Sequence, residues 1–318
     1  MRIRFLERLN RRYLIRYRVE YVVALLLVHA VRALSPAFAW EGARTLGSLC
    51  WWLGLRRRAV LTNLSVAFPD LPEAERERIC RLCYRHFFSV AVDVLFEQRM
   101  VNPGNLFRKV RFTGWAKEYL ERHGLEGFRE RAHRVLFLTA HLGNWEFASG
   151  AFGLMGVEIV PIFRAIRNPF VNRLVRGLRL VAHDKLIERR GAVPVMVAHL
   201  EKGGNIGMLF DQEATHGLAV PFFGLPARTH KTPAILARDH GVKIFLGVMI
   251  REGDFLRYEG RGELLDLSRK SDDRIKDLEE ITTELMRRVE AEIRRRPEQY
   301  LWMHRRWKRT GIHRKKEV

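Results

Sequence analysis

The segment Ala140-His-Leu-Gly-Asn-Trp-Glu146 sets an imidazole and a carboxylate five residues apart, just where the apolar run Val135-Leu-Phe-Leu-Thr139 gives out. The ends of strands in open α/β sheets are where functional groups collect. His141 suits a general base, because the ordinary imidazole pKa of about 6.5 lies close to working pH. Glu146 would hold the ring in one tautomer and stabilise the imidazolium as it forms. Gly143 permits close backbone approach, Asn144 is placed to cap a helix, and the free N–H groups of that helix could face a developing negative charge. A base and a site for an oxyanion are what acyl transfer from a thioester to an alcohol requires. No Ser or Cys occupies a nucleophile-elbow setting and no H-E-x-x-H is present, so direct attack by an acceptor hydroxyl is the simpler chemistry, without metal or cofactor. The same spacing also describes a helix-capping histidine, so the neighbouring segments must decide.

Those segments predict an α/β fold with a central, mostly parallel sheet flanked by helices. Continuous apolar runs suited to strands covered on both faces occur at Val135–Thr139, Glu158–Phe163, Asn205–Phe210, Val242–Met249 and Phe255–Glu259. Helical patterns lie between them near 145–155, 169–183, 192–202 and 232–240, and a charged helix over Asp272–Arg296 stops at Pro297. Before the first strand, helices are expected over 42–52, 56–67 and from Pro72 to about Glu97, the last opening on acidic residues. The expected organisation is a basic leader and membrane-associated helix (1–40), a helical region (41–109), a catalytic unit (110–310) and a basic tail (311–318).

The charge balance limits the partners. With 57 Lys+Arg against 36 Asp+Glu, the 318-residue chain carries a formal +21, which calls for nucleic acid, an anionic bilayer or an anionic carrier or coenzyme. No zinc-finger spacing, RNA-recognition aromatic motif or basic-zipper pattern supports nucleic acid. Seven arginines precede residue 19, and the apolar run Tyr21–Val28 follows. That run is too short for a clean span of about 20 residues. A helix lying in the interface is expected instead, with Tyr21, Trp40, Trp51 and Trp52 near the boundary. Cys80 and Cys83 form a lone C-x-x-C with no second pair for zinc, and read as core-facing helix residues.

Further blocks resemble the late acyltransferases of lipid A biosynthesis, within the wider glycerolipid acyltransferase superfamily. His141–Glu146 resembles that family's H-x4-D/E motif, and Arg164-Ala-Ile-Arg-Asn-Pro169 its arginine and Asn-Pro block. Phe210-Asp-Gln-Glu213 and Val220-Pro-Phe-Phe-Gly-Leu-Pro-Ala227 resemble its D-Q and F-F-G-x-x-A blocks, and Arg296–Lys308 its C-terminal signature. The blocks occur in the family's order across most of residues 20–310.

The resemblance implies transfer of a fatty acyl chain from an acyl-carrier protein or coenzyme A thioester to a hydroxyl of a membrane glycolipid, a lipid A precursor first among the candidates. His141 and Glu146 are then the expected catalytic pair. Gly143, Asn144, Arg164, Asn168, Asp211 and Gln212 are expected to bind substrate, Arg164 through phosphate or thioester and Asp211 by ordering that arginine or the acceptor. Coenzyme A-dependent acylation of another lipid, of the phosphatidylinositol mannoside type, is the alternative within the class; a basic membrane- or nucleic-acid-binding module is the alternative outside it. Because such thioesters are made inside the cell, a monotopic or hairpin anchor on the cytoplasmic side of the inner membrane is expected. Arg228-Thr-His-Lys-Thr-Pro233 departs from the family's threonine-rich run by two extra cationic groups, with His230 read as a bystander. The tail Tyr300–Arg309 interleaves aromatics with cations, as an interfacial belt or an edge of the donor site would, with residues 304–306 also candidates to buttress the active site.

Overall fold

The computed structural model describes residues 11–180, 185–310 and 312. The first ten residues of the expected leader, positions 181–183 of the helix expected over 169–183, and the tail other than residue 312 lie outside them. Helices α1 (Arg11–Ala33), α2 (Pro36–Trp52), α3 (Arg57–Ala67), α4 (Glu73–Met100) and the single turn α5 (Leu106–Lys109) come first. Then follow β1 (Val110–Thr113), α6 (Trp115–Arg131), β2 (Val135–Thr139), α7 (Trp145–Leu154), β3 (Val160–Phe163), α8 (Pro169–Leu180), β4 (Ile187–Glu188), α9 (Ala192–Glu201) and β5 (Ile206–Leu209). The chain continues through β6 (Leu218–Phe222), β7 (Leu225–Thr229), α10 (Thr232–His240), β8 (Lys243–Arg251), β9 (Tyr258–Leu265) and α11 (Arg274–Arg295).

Seven strands form one sheet in the order β1-β9-β8-β2-β5-β3-β4, and β6 and β7 make a separate hairpin. Neighbours pair in parallel except β8 and β9. The α/β expectation therefore holds. The last strand begins three residues later than expected: Gly253 (φ +62°) and Leu256 (φ +53°) turn the chain between β8 and β9, and Glu252 N–H closes that loop on the Arg257 carbonyl at 2.9 Å. The strand β1 was not anticipated; four residues with an arginine at the second give no apolar run.

Strand periodicity divides the core. In β2, Leu136 and Leu138 face one hydrophobic cluster while Val135 and Phe137 face another, so both sides of the sheet are covered. Helix α11 supplies the first cluster with Leu278, Ile281, Leu285, Val289 and Ile293, a stripe at helical spacing, and Asp273 caps it by accepting from the Ile275 and Lys276 amides, both at 3.0 Å. Cys80 and Cys83 are buried in this cluster as expected, unbonded to each other.

No helix among the described residues is long and apolar enough to cross a membrane. Along α1, however, Ile15, Val19, Val22 and Leu26 recur at helical spacing and stay exposed, as do Phe38 and Trp52 on α2. The opposite side of α1 packs on α8, where Tyr21 meets Phe170 at 6.1 Å between ring centroids. The C-terminal aromatics are no interfacial belt: Trp302 and Trp307 are 1% exposed and Arg306 is 2% exposed.

Candidate active site

Parallel register brings the reactive groups together. Thr139 at the end of β2 pairs with Leu209 at the end of β5, so two residues further along each strand His141 and Asp211 emerge side by side. Asp211 Oδ1 accepts from His141 Nδ1 at 2.8 Å, and Oδ2 accepts from the His141 backbone N–H at 3.1 Å. The carboxylate side chain is 1% exposed and the imidazole 16%, so the ring is reachable while its partner is not. Burial alone would raise the Asp211 pKa, but His141, the two hydrogen bonds from it and the charge of Arg306 together hold it down at about 2. An ionised Asp211 fixes the proton of the neutral ring on Nδ1 and leaves the lone pair on Nε2. The Gln212 amide nitrogen faces that lone pair at 3.1 Å.

The carboxylate on Nδ1 is thus Asp211 and not the expected Glu146. The reason is local: Glu146 falls in the first turn of α7, past the Gly143-Asn144 bend, whereas Asp211 extends the neighbouring strand. Glu146 is half-buried and lines a cavity with Trp145, Ser149 and Leu186. Arg164 follows β3 and is exposed, and Asp211 is not its partner.

The His141 turn is held from three sides. Gly143 has φ +65°, and a Cβ there would collide with the Met249 carbonyl at the end of β8, so glycine is required twice over. The Gly143 amide donates to the Gln299 carbonyl at 3.1 Å, the Leu301 amide to the His141 carbonyl at 3.0 Å, and the Asn144 amide to the Met249 carbonyl at 2.7 Å. The C-terminal signature is therefore a strap laid along this turn. Gln299 secures the strap to β8, accepting from Arg251 N–H at 2.9 Å and donating to the Arg251 carbonyl at 3.0 Å. Asn63 of α3 donates to the Trp302 and His304 carbonyls, both at 2.7 Å, and Cys83 to the Tyr300 carbonyl at 3.1 Å.

Asn144 caps α7 by accepting from the Phe147 amide at 3.0 Å, as expected, but it is fully buried. Its amide donates to Asp93 at 3.1 Å and to the Tyr258 hydroxyl oxygen at 2.8 Å; Tyr258 and Arg251 in turn donate to Asp93. Burial lifts the Asp93 pKa to about 6 against the pull of Arg251, Tyr258 and Asn144. Removing one member of such a buried charged pair typically costs about 3–5 kcal/mol. His86 donates from Nε2 to the Gly143 carbonyl at 3.0 Å, and burial, with Arg251 nearby, drives its pKa down to about 3. Sequence reasoning missed this support, although Asp93 is a lone charge in the apolar run Val90–Phe96. Asn168 likewise spends its side chain on structure: it donates to the Tyr17 carbonyl and Glu20, both at 2.9 Å, and accepts from the Phe170 and Val171 amides, tying α1 to the start of α8.

The F-F-G block and the tail close the other side. Phe223 (φ +50°) and Gly224 (φ +75°) form the two-residue turn of the β6–β7 hairpin. Phe223 holds its unusual conformation by burial against Phe68 and Trp302 and by donating its amide to Glu290 at 2.6 Å. Arg306 reaches the hairpin, donating to the Arg228 carbonyl at 2.6 Å and to Thr229. His304 accepts the Glu213 amide at 3.0 Å, with burial lowering its pKa to about 4.

Beside the imidazole opens an apolar pocket between the sheet and α7, floored by Phe137, Phe245 and Met249 and roofed by Ala148 and Phe152. Its lining draws on β3, β5, β2, β8, β9 and β1. Phe112 closes the far end over Gly260. At the near end stands Trp145, its ring 5.2 Å from that of His141.

The chain matches the family of bacterial lipid A biosynthesis acyltransferases over residues 7–309. It is 26% identical over 260 residues to the lipid A biosynthesis lauroyltransferase of Escherichia coli (strain K12), 80% of either chain. The palmitoleoyltransferase of lipid A biosynthesis in the same organism is 23% identical over 284 residues, 87% of either chain. A lipid A biosynthesis acyltransferase of Haemophilus influenzae is 26% identical over 266 residues, 80% of this chain and 79% of that one.

Proposed function

This chain belongs to the bacterial lipid A biosynthesis acyltransferase family, and from that premise we propose that it transfers a fatty acyl chain from an acyl thioester to a hydroxyl of a lipid A precursor, with His141 as general base. As a member of that family it is an O-acyltransferase. The observation that carries the mechanism is the pairing of His141 Nδ1 with the buried, ionised Asp211 at 2.8 Å. That pairing makes the Nε2 lone pair the ring's proton acceptor and stabilises the imidazolium that results.

In the reaction the acceptor oxygen attacks the thioester carbonyl carbon while its proton passes to Nε2. The tetrahedral intermediate then collapses, the thiolate leaves, and the imidazolium returns the proton to it. No covalent acyl-enzyme is needed. The apolar pocket beside the base is suited to the acyl chain, which would lie across the sheet with its methyl end toward Phe112. Exposed Arg164, just beyond β3, and Glu146 in the adjoining pocket would take the polar parts of the substrates. The donor is an acyl-carrier protein or coenzyme A thioester.

The exposed stripe of α1 with Phe38 and Trp52, flanked by arginines, supports docking on the cytoplasmic face of the inner membrane. Incubation of purified protein with an acyl thioester and a lipid A precursor, followed by mass spectrometry, tests the function. One added acyl mass on the lipid is the expected product; failure with competent donor and acceptor contradicts the assignment.

A further inference from the structure

A base strong enough to activate an alcohol also activates water, and water is always present. The His141 ring is 16% exposed, so an uncovered Nε2 would spend thioester by hydrolysis whenever the lipid acceptor is absent. In this structure Nε2 is covered: the Gln212 side-chain amide donates to it at 3.1 Å. The direction of that bond follows from the other side of the ring, where ionised Asp211 requires the proton on Nδ1. Gln212 directly follows Asp211, so the residue that orients the base and the residue that covers it share one strand end. An acceptor hydroxyl must come within about 2.6–3.2 Å of Nε2 to be deprotonated, the position the amide holds.

We propose that Gln212 is a guard on the catalytic base: its amide caps Nε2 until the lipid acceptor's hydroxyl displaces it, which biases the enzyme toward transfer over hydrolysis. In the guarded side reaction water attacks the thioester carbonyl, its proton goes to Nε2 and then to the departing thiolate, and the products are a fatty acid and a thiol. The inference rests on His141 serving as the base of an acyl transfer.

The test uses the full chain in detergent with dodecanoyl-coenzyme A, reading thiol release without acceptor and acyl-lipid formation with a lipid A precursor. Removing one neutral hydrogen bond from the base should raise acceptor-free thiol release about 3- to 10-fold in Gln212→Ala and in the near-isosteric Gln212→Met. The share of consumed thioester that reaches the lipid should fall in both. Adding His141→Ala to Gln212→Ala should return hydrolysis to background. Acceptor-free release at or below the wild-type rate in both variants, with melting temperatures intact, overturns the guard. Absence of transfer by the wild-type protein itself would instead strike the assignment on which the guard depends.

Discussion

Asp211 holds His141 at two points, accepting the ring Nδ1–H at 2.8 Å with one oxygen and the backbone N–H at 3.1 Å with the other. Two donors on one residue meet two acceptors on the next strand, so ring orientation and loop geometry are set by the same buried group. The in-register pairing of Thr139 with Leu209 makes this possible without any sequence proximity.

Asp211→Asn tests that clamp. An asparagine has one acceptor oxygen for two donors; if the backbone N–H keeps it, the amide NH2 faces Nδ1 and drives the ring proton to Nε2, the wrong nitrogen for a base. Transfer should fall about 10²- to 10⁴-fold, and 15N shifts of His141 should report the tautomer exchange. Unchanged shifts with near wild-type turnover would return the orienting role to another group, with Glu146 the first to examine.

The His141 segment and the α/β order were legible because both are local: an apolar strand, a Gly-Asn bend and a capped helix follow one another in the chain. The Asp211 partnership was not, since it depends on which strands become neighbours, and β5 lies beside β2 only after the two intervening strands β3 and β4 have been placed further out in the sheet. The interfacial reading of the tail failed for a related reason. Alternating aromatics and cations look interfacial, but Trp302 and Trp307 are buried and Gln299 docks on β8, a contact set by tertiary packing alone.

Chain-length selection should follow the cavity under α7. Ala148 faces it opposite Phe137 and Phe245, and Ala148→Phe would fill its middle. Assayed across a series of saturated acyl donors, the variant should prefer a shorter chain than the wild type while retaining turnover on that chain. An identical preference in a folded variant would exclude this cavity as the acyl site.

His304 gives a stability prediction with a defined sign. Its folded pKa is depressed to about 4 by burial, against an unfolded value of about 6.5. Between these values the unfolded chain binds a proton that the folded protein does not, so the contribution is complete above about pH 6.5 and is lost as pH falls toward 4. His304→Asn should flatten the acid limb of stability by about 1.4 kcal/mol per pH unit in that window. Chemical denaturation at pH 7, 6 and 5 measures this, and an unchanged slope would place His304 in contact with solvent.

Membrane docking should depend on the exposed stripe of α1. Burying each of Val22 and Leu26 in a bilayer is worth roughly 1.5–3 kcal/mol, so Val22→Asp with Leu26→Asp should weaken flotation with anionic phosphatidylglycerol vesicles more than tenfold. Equal flotation of the two proteins would assign docking to another surface.

The central claim is that His141 is the base of an acyl transfer. Initial rates of acyl-lipid formation by purified His141→Ala protein, with a lipid A precursor and an acyl thioester at saturating concentrations, test it directly. A loss of about 10²- to 10⁴-fold relative to wild type, with the fold intact, is the predicted result. Turnover within a few-fold of wild type would contradict it.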